Sequence, residues 1–203
     1  MWEYITGAIT TPLETLRHVA QKEYWKEGLL LTAASGLIKG AATVVVARST
    51  PSTLSELSAS GFPFLETLRT LMRSPAYIMA NSLISSILFW FVAGVICFGF
   101  SRIFKGTGTL RGLLASLGFA SAPQLLGAPL AAVFCLFGNP GIFLSSMISF
   151  LTSVWVLVLE VFSIRESTGI TTGAAVISAI LASFGFFCFL LAVGLLLSLG
   201  TIF

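Results

Sequence analysis

Apolar residues in this chain come in long blocks, without the short periodic stripes of a soluble fold. Residues 28–47 (GLLLTAASGLIKGAATVVVA) contain one charge, Lys39, and residues 77–100 contain none. Residues 113–137 are as long but are interrupted by Pro123 and Pro129. Residues 141–164 carry Glu160 near their end, and residues 173–200 are uncharged. About 20 apolar residues cross the hydrocarbon core of a bilayer as a helix. The pattern therefore predicts an all-α integral membrane protein, a five-span helical bundle with a Pro-broken third span. Only Gly138, Asn139 and Pro140 separate the third span from the fourth, which makes those two a tight antiparallel hairpin.

The polar stretches outside these blocks predict two short helices. Thr11, Pro12, Leu13 and Glu14 form a capping box with proline at the first helical position. The next turns set Leu13, Leu16 and Ala20 on one face and Glu14, Arg17 and Gln21 on another, as in a helix lying on the membrane surface. Phe62, Pro63, Phe64 and Leu65 open a similar helix running towards Arg73. The string LETLR occurs at both 13–17 and 65–69; the residues that follow the two copies differ, which favours two similar surface helices over a duplicated unit. Residues 1–27 thus form a tail with an amphipathic helix, and 28–203 form the membrane domain. The first apolar block begins too far along, behind several charges, to be the core of a cleaved signal peptide.

Composition fits this picture. Of 203 residues, 56% are hydrophobic and 9% charged, and the mean hydropathy is +0.99. Soluble domains carry roughly 25% charged residues, so this chain lacks the polar groups to cover its own surface. A net charge of +3 with scattered basic residues excludes a nucleic-acid-binding role. The basic residues are better read as topology signals. Arg17, Lys22, Lys26, Arg102, Lys105, Arg111 and Arg165 fall on one side of a five-span arrangement, against Arg48, Arg69 and Arg73 on the other. That bias places the N-terminus in the cytoplasm and the C-terminus outside.

Few residues offer chemistry. Lys39 lies near the middle of its span, where a charge costs about 2.5–3.5 kcal/mol on insertion scales unless it is paired, hydrated or drawn to an interface. Glu160 lies within a turn or two of the same depth. The two could pair, or each could snorkel or meet a polar pocket alone. Around Pro123 and Gln124, the missing proline donors free the carbonyls of Phe119 and Leu125. Such a break serves either as a structural kink or as the start of a substrate site, with Gln124 the side chain that would face it. Lys39, Glu160, Pro123 and Gln124 are therefore the candidate intramembrane polar site. Gly36 and Gly40 form a GxxxG pair, and Ser145, Ser149 and Ser153 repeat at four-residue spacing. Both mark faces of close helix approach, expected within the bundle.

No catalytic or metal centre is legible. His18 is the single histidine, and the chain contains no aspartate. Gly106 and Gly108 lack the preceding strand and later glycine of a dinucleotide loop. Cys97, Cys135 and Cys188 lie inside apolar blocks without CxxC spacing and read as small hydrophobes. Neither an enzyme activity nor a cofactor is expected.

Several segments carry a family likeness. Lys105 to Pro123 (KGTGTLRGLLASLGFASAP) resembles the stretch of Yip-domain proteins in which a Gly-rich cytoplasmic loop enters a span. Val154 and Trp155, followed by IRESTGITTGAA from Ile164 to Ala175, are similar to that family's fourth-to-fifth junction. TPLETLR from Thr11 to Arg17 looks like the start of its bacterial and archaeal members. The resemblance covers most of the chain and implies five spans with a cytoplasmic N-terminus. Eukaryotic members associate with Rab-type GTPases and with one another in membrane traffic. This chain lacks their long cytosolic region and its Asp-Leu-Tyr-Gly-Pro motif, which argues against a Rab-type GTPase partner and for a prokaryotic inner-membrane member. The resemblance thus implies a non-enzymatic membrane organiser whose partners are membrane lipids, itself or other membrane proteins. A small transporter, channel or lipid-moving protein using the broken third span is the alternative.

Overall fold

The computed structural model describes residues 2–49, 70 and 73–200, with side chains described as far as Ala192. These residues form helices α1 (Trp2–Thr10), α2 (Pro12–Gln21), α3 (Trp25–Ser49), α4 (Pro75–Ile103), α5 (Leu110–Ala120), α6 (Gln124–Cys135), α7 (Gly138–Thr168) and α8 (Thr172–Gly200). No strand occurs among the described residues. Five segments are long and apolar enough to cross a membrane, with α5 and α6 together making the third. The expected helix in 62–73 and the second LETLR copy lie largely outside the described residues.

Every helix crossing the membrane outruns the apolar block that announced it. α7 has 31 residues, about 46 Å at 1.5 Å per residue, against a hydrocarbon core of about 30 Å. Its last turns, like the first turns of α3, therefore carry charged residues beyond the hydrocarbon. The tight turn before α7 uses Gly138, whose φ of +70° favours a residue without a Cβ.

The third span is interrupted at Pro123 as expected. The turn over 121–123 is closed by short-range bonds: the N–H groups of Gln124 and Leu125 donate to the carbonyls of Ser121 and Ala122 at 3.0 and 3.1 Å. Pro129, expected to break the span a second time, lies inside a continuous α6. A proline's fixed φ is compatible with a helix, and the single withdrawn donor is tolerated where the rest of the helix remains bonded.

The chain divides into two compact units: Met1–Leu30, Leu88–Ala120 and Leu157–Phe203 make the first, and Leu31–Ile87 and Ser121–Val156 the second. In the first unit the core is built of small residues, with Ala93, Cys97, Leu113, Ile164, Ala175 and Ala179 buried together. Hydroxyls join its helices. Ser116 on α5 and Ser163 on α7 exchange bonds, each Oγ donating to the other's carbonyl at 3.4 and 3.1 Å. The indole N–H of Trp90 donates to the Leu114 carbonyl at 2.9 Å. Such bonds hold helices together where lipid provides no hydrophobic force between them.

The N-terminal segment differs from a helix lying on lipid. Leu16, Val19 and Ala20 of α2 are buried, and Leu13 of the same predicted face is 40% exposed. α2 packs against α5, where the Ala20 carbonyl lies so near Gly112 that no side chain fits there. α1, not anticipated from the sequence, folds back on α2: Tyr4 stacks on His18 at 5.6 Å and meets Phe119 edge-on at 6.4 Å.

A close helix approach in the first unit joins Gly118 of α5 to Gly28 of α3, where a Cβ on Gly118 would overlap the Gly28 backbone. Backbone, unlike a flexible side chain, does not yield. Gly118→Ala should therefore lower thermal stability in detergent by at least the ~1–3 kcal/mol of core overpacking. Gly99→Ala, on an open face of α4 with nothing nearby, should be neutral or stabilise by up to about 1 kcal/mol. Equal melting of the two variants would contradict this packing.

Candidate functional site

Three helices of the second unit bring polar residues to one depth. Lys39 lies 14 residues after Trp25 and 10 before Ser49 in α3, about 21 and 15 Å from the ends of that helix. Gln124 opens α6, midway along the third span. Ser149, Thr152 and Ser153 occupy the middle of α7. Around these residues lies a cavity of about 220 Å³, lined by Lys39 and Thr43 from α3, Gln124 and Gly127 from α6, and the three hydroxyl residues of α7. The remaining wall is alanine and valine.

Helical spacing explains why these side chains meet. Lys39, Thr43 and Val46 recur at i, i+4 and i+7 on α3, and Gln124, Gly127, Ala128 and Ala131 do the same on α6. Gly36 and Gly40 use a neighbouring face of α3 to seat α4: Gly36 approaches Ser86 and Leu83, and Gly40 approaches Met79 and Ser82. The GxxxG pair thus packs within the chain, and Ser82 Oγ locks the contact by donating to the Gly36 carbonyl at 2.9 Å. Gly127 lets α6 approach α7 closely, since a Cβ there would collide with Thr152.

The serine series on α7 divides. Ser145 is buried at 5% exposure, as a packing residue should be. Ser149 and Ser153, expected to be packing residues as well, are exposed and line the cavity.

Hydrogen bonding shows what the cavity offers. Thr43 Oγ1 donates to the Lys39 carbonyl at 2.8 Å, Thr152 Oγ1 to Ile148 at 2.8 Å and Ser153 Oγ to Ser149 at 2.8 Å. Their protons are committed to the helices, so their oxygens remain available as acceptors. The Lys39 ammonium, the Gln124 amide and the Ser149 hydroxyl have no partner within this unit among the described residues; the ammonium only donates, and the amide and hydroxyl both donate and accept. Among the described residues no carboxylate lines the cavity.

Lys39 and Gln124 thus share one cavity, and Pro123 seats Gln124 at the first turn of α6. Glu160 belongs to the first unit, where it is half-buried. Thr43 and Thr152 were missed as site residues because a threonine inside an apolar block bonds its own helix as readily as a ligand. Their spacing from Lys39 and Ser149 was the available signal. Among the described residues no cluster of histidine, cysteine or carboxylate could hold a metal ion, and Cys97, Cys135 and Cys188 are free thiols.

A second polar group gathers at one end of the first unit. Arg17 of α2 pairs with Glu166 of α7 at 2.6 Å, and Arg165 approaches the same carboxylate at 3.3 Å. Thr109 donates to Glu23 at 2.7 Å, and the Thr107 N–H donates to the Thr168 carbonyl at 3.0 Å. Arg102 holds the intervening loop through the Gly106 and Gly108 carbonyls at 3.0 and 2.9 Å. The N-terminal helices and the loops at 104–109 and 169–171 therefore meet at one end.

Five spanning helices, a span interrupted at mid-length and a small polar cavity beside the break define a polytopic α-helical integral membrane protein. The Yip1 domain family model matches residues 6–194, nearly the whole chain, and the protein belongs to that family. Comparison with curated proteins and with solved structures gives no match.

The contact of α6 with α7 that bounds the cavity is testable by a double-mutant cycle. Gly127→Ala should destabilise the protein by about 1–3 kcal/mol. Adding Thr152→Ala removes the two atoms nearest the new methyl and should recover part of that loss, a coupling of about 0.5–3 kcal/mol. Strictly additive losses in detergent melts would show that the two helices do not meet there.

Proposed function

We propose that this Yip-family protein is a non-enzymatic organiser of membrane that acts by holding lipid, with the mid-span cavity as the contact point. The observation that carries the reading is the cavity's placement. Lys39, Thr43, Ser149 and Ser153 are exposed residues in the middle of spanning helices, so the opening faces the lipid phase. On the same three helices, Leu37, Leu126 and Phe150 are 42%, 66% and 67% exposed and present apolar surface for acyl chains. At about 220 Å³ the cavity falls below the ~300–1,000 Å³ of pockets that enclose a whole small molecule. It suits one polar end of a molecule whose remainder stays in the bilayer.

A transporter or lipid-moving reading is favoured by one observation, the break at 121–123 beside Gln124. The cavity is nevertheless small and has polar walls from three helices only, which is thin provision for a path through the membrane. The non-enzymatic reading is supported by the wall's contents, an amine, an amide and hydroxyls, in which no described hydroxyl is hydrogen-bonded to the Lys39 amine as an activated nucleophile would be. For location, the basic residues gathered with the N-terminal helices support a cytoplasmic N-terminus and an external C-terminus, and the lack of the eukaryotic Asp-Leu-Tyr-Gly-Pro motif supports a prokaryotic inner membrane. Partners then meet the protein through lipid or through its exposed spans, including those of a second copy.

Photoactivatable phospholipids in vesicles containing the full chain test the proposal. Labelling should concentrate on α3, α6 and α7, and the vesicles should show no flux or lipid exchange above protein-free controls. Robust exchange by the parent protein, lost in Pro123→Ala, would replace this reading with the lipid-moving one. Topology is checked separately: a cysteine replacing Thr107, an exposed loop residue, should resist membrane-impermeant thiol reagents in intact cells, and rapid labelling would invert the orientation.

A further inference from the structure

We propose that the mid-span cavity is selective for an anionic, hydroxyl-bearing phosphate headgroup of the phosphoglycerol kind, with Lys39 as the charge that recognises the phosphate. The inference rests on the lipid-holding reading and deepens it. Its first ground is the sign of the site. Among the described residues, the uncommitted groups in the wall are the Lys39 ammonium, which only donates, and the Gln124 amide and Ser149 hydroxyl, which can also donate, and no carboxylate lines it. A cationic head would meet repulsion from Lys39 and find no aromatic ring among the described residues of the wall to offset it.

The second ground is that the wall also accepts. Thr43, Thr152 and Ser153 line the cavity and donate to carbonyls of their own helices, which leaves their oxygens able to accept but without protons to give. A bare anion, such as a fatty-acid carboxylate, would use the donors and leave these acceptors idle. A phosphate diester of a polyol uses both, its phosphate oxygens accepting from Lys39, Gln124 and Ser149 and its hydroxyls donating to the threonines and Ser153. The third ground is energetic. A lysine at the centre of a span is unfavourable unless paired or hydrated, and Lys39 has no ion pair with any described residue of its unit. A headgroup phosphate supplies that pairing, and the exposed apolar residues of the same helices receive its chains.

The test uses the full-length chain in nanodiscs and two photoactivatable probes with identical acyl chains, phosphatidylglycerol and phosphatidylcholine. The parent should label with phosphatidylglycerol about tenfold or more above phosphatidylcholine, the size of effect expected of one charge-assisted contact. Lys39→Met should bring the two probes to within about twofold, and Lys39→Arg should keep most of the preference, because a guanidinium also donates to phosphate. Gln124→Leu, which leaves the charge in place, should reduce the preference in part, and thermal melts of each variant establish that it is folded. Equal labelling of the parent by both probes, or an undiminished preference in folded Lys39→Met, overturns the headgroup assignment while leaving lipid holding intact. Failure of both probes to label the cavity helices removes the lipid-holding reading itself. Soluble glycerol phosphate should not displace the lipid probe; complete displacement at millimolar concentration would identify the free phosphate ester as the ligand and overturn the lipid source.

Discussion

A polar group at the centre of a bilayer has no water to satisfy it, and that one constraint decides most of what this chain does with its residues. Each backbone donor or acceptor released at mid-membrane must find another partner inside the protein. At Pro123 the chain gives up a helical donor at that depth. It closes the gap with the short turn of 121–123, whose carbonyls take the N–H groups of Gln124, Leu125 and Leu126. The break resets the helix, so that α6 begins with Gln124 directed to the same cavity as Lys39. Without the interruption, the amide and the ammonium would have no shared polar space.

The same constraint explains why helix contacts here are made by glycine, alanine and serine. Lipid is as apolar as leucine, so spans gain little from hiding leucine against each other and more from close van der Waals approach and interhelical hydrogen bonds. Gly28 against Gly118, Gly36 and Gly40 against α4, and Gly127 against Thr152 are three such approaches. Ser82 to Gly36, Ser116 with Ser163, and Trp90 to Leu114 are the bonds that accompany them. Large apolar side chains are left over for the lipid: Phe143, Phe150 and Phe184 are each at least 65% exposed.

Reading the sequence recovered the spans because length and the absence of charge are properties of single segments. It also placed the break at Pro123, since a proline lacks its donor wherever it stands. Pro129 shows the limit of that rule, because whether a proline breaks or merely sits in a helix depends on what surrounds it. α1 was illegible for a related reason. Trp2–Thr10 is too short and too mixed to announce itself, and its order comes from Tyr4 packing on His18 and Phe119. Within the cavity, Lys39 and Gln124 were legible as polar residues out of place. Ser149, Ser153, Thr43 and Thr152 were not, because a small hydroxyl residue in a span serves packing, its own helix or a ligand equally well, and only the facing helices decide which.

The central claim is that Lys39, Gln124 and the mid-span hydroxyls of α7 form one cavity that holds a lipid headgroup. Electron cryo-microscopy of the protein in nanodiscs containing phosphatidylglycerol, with an added binder to supply mass, would examine it directly. The account predicts headgroup density bounded by Lys39, Gln124 and Ser149, continuous with acyl-chain density along Leu126 and Phe150. An empty cavity with the Lys39 side chain turned away from it would contradict the claim.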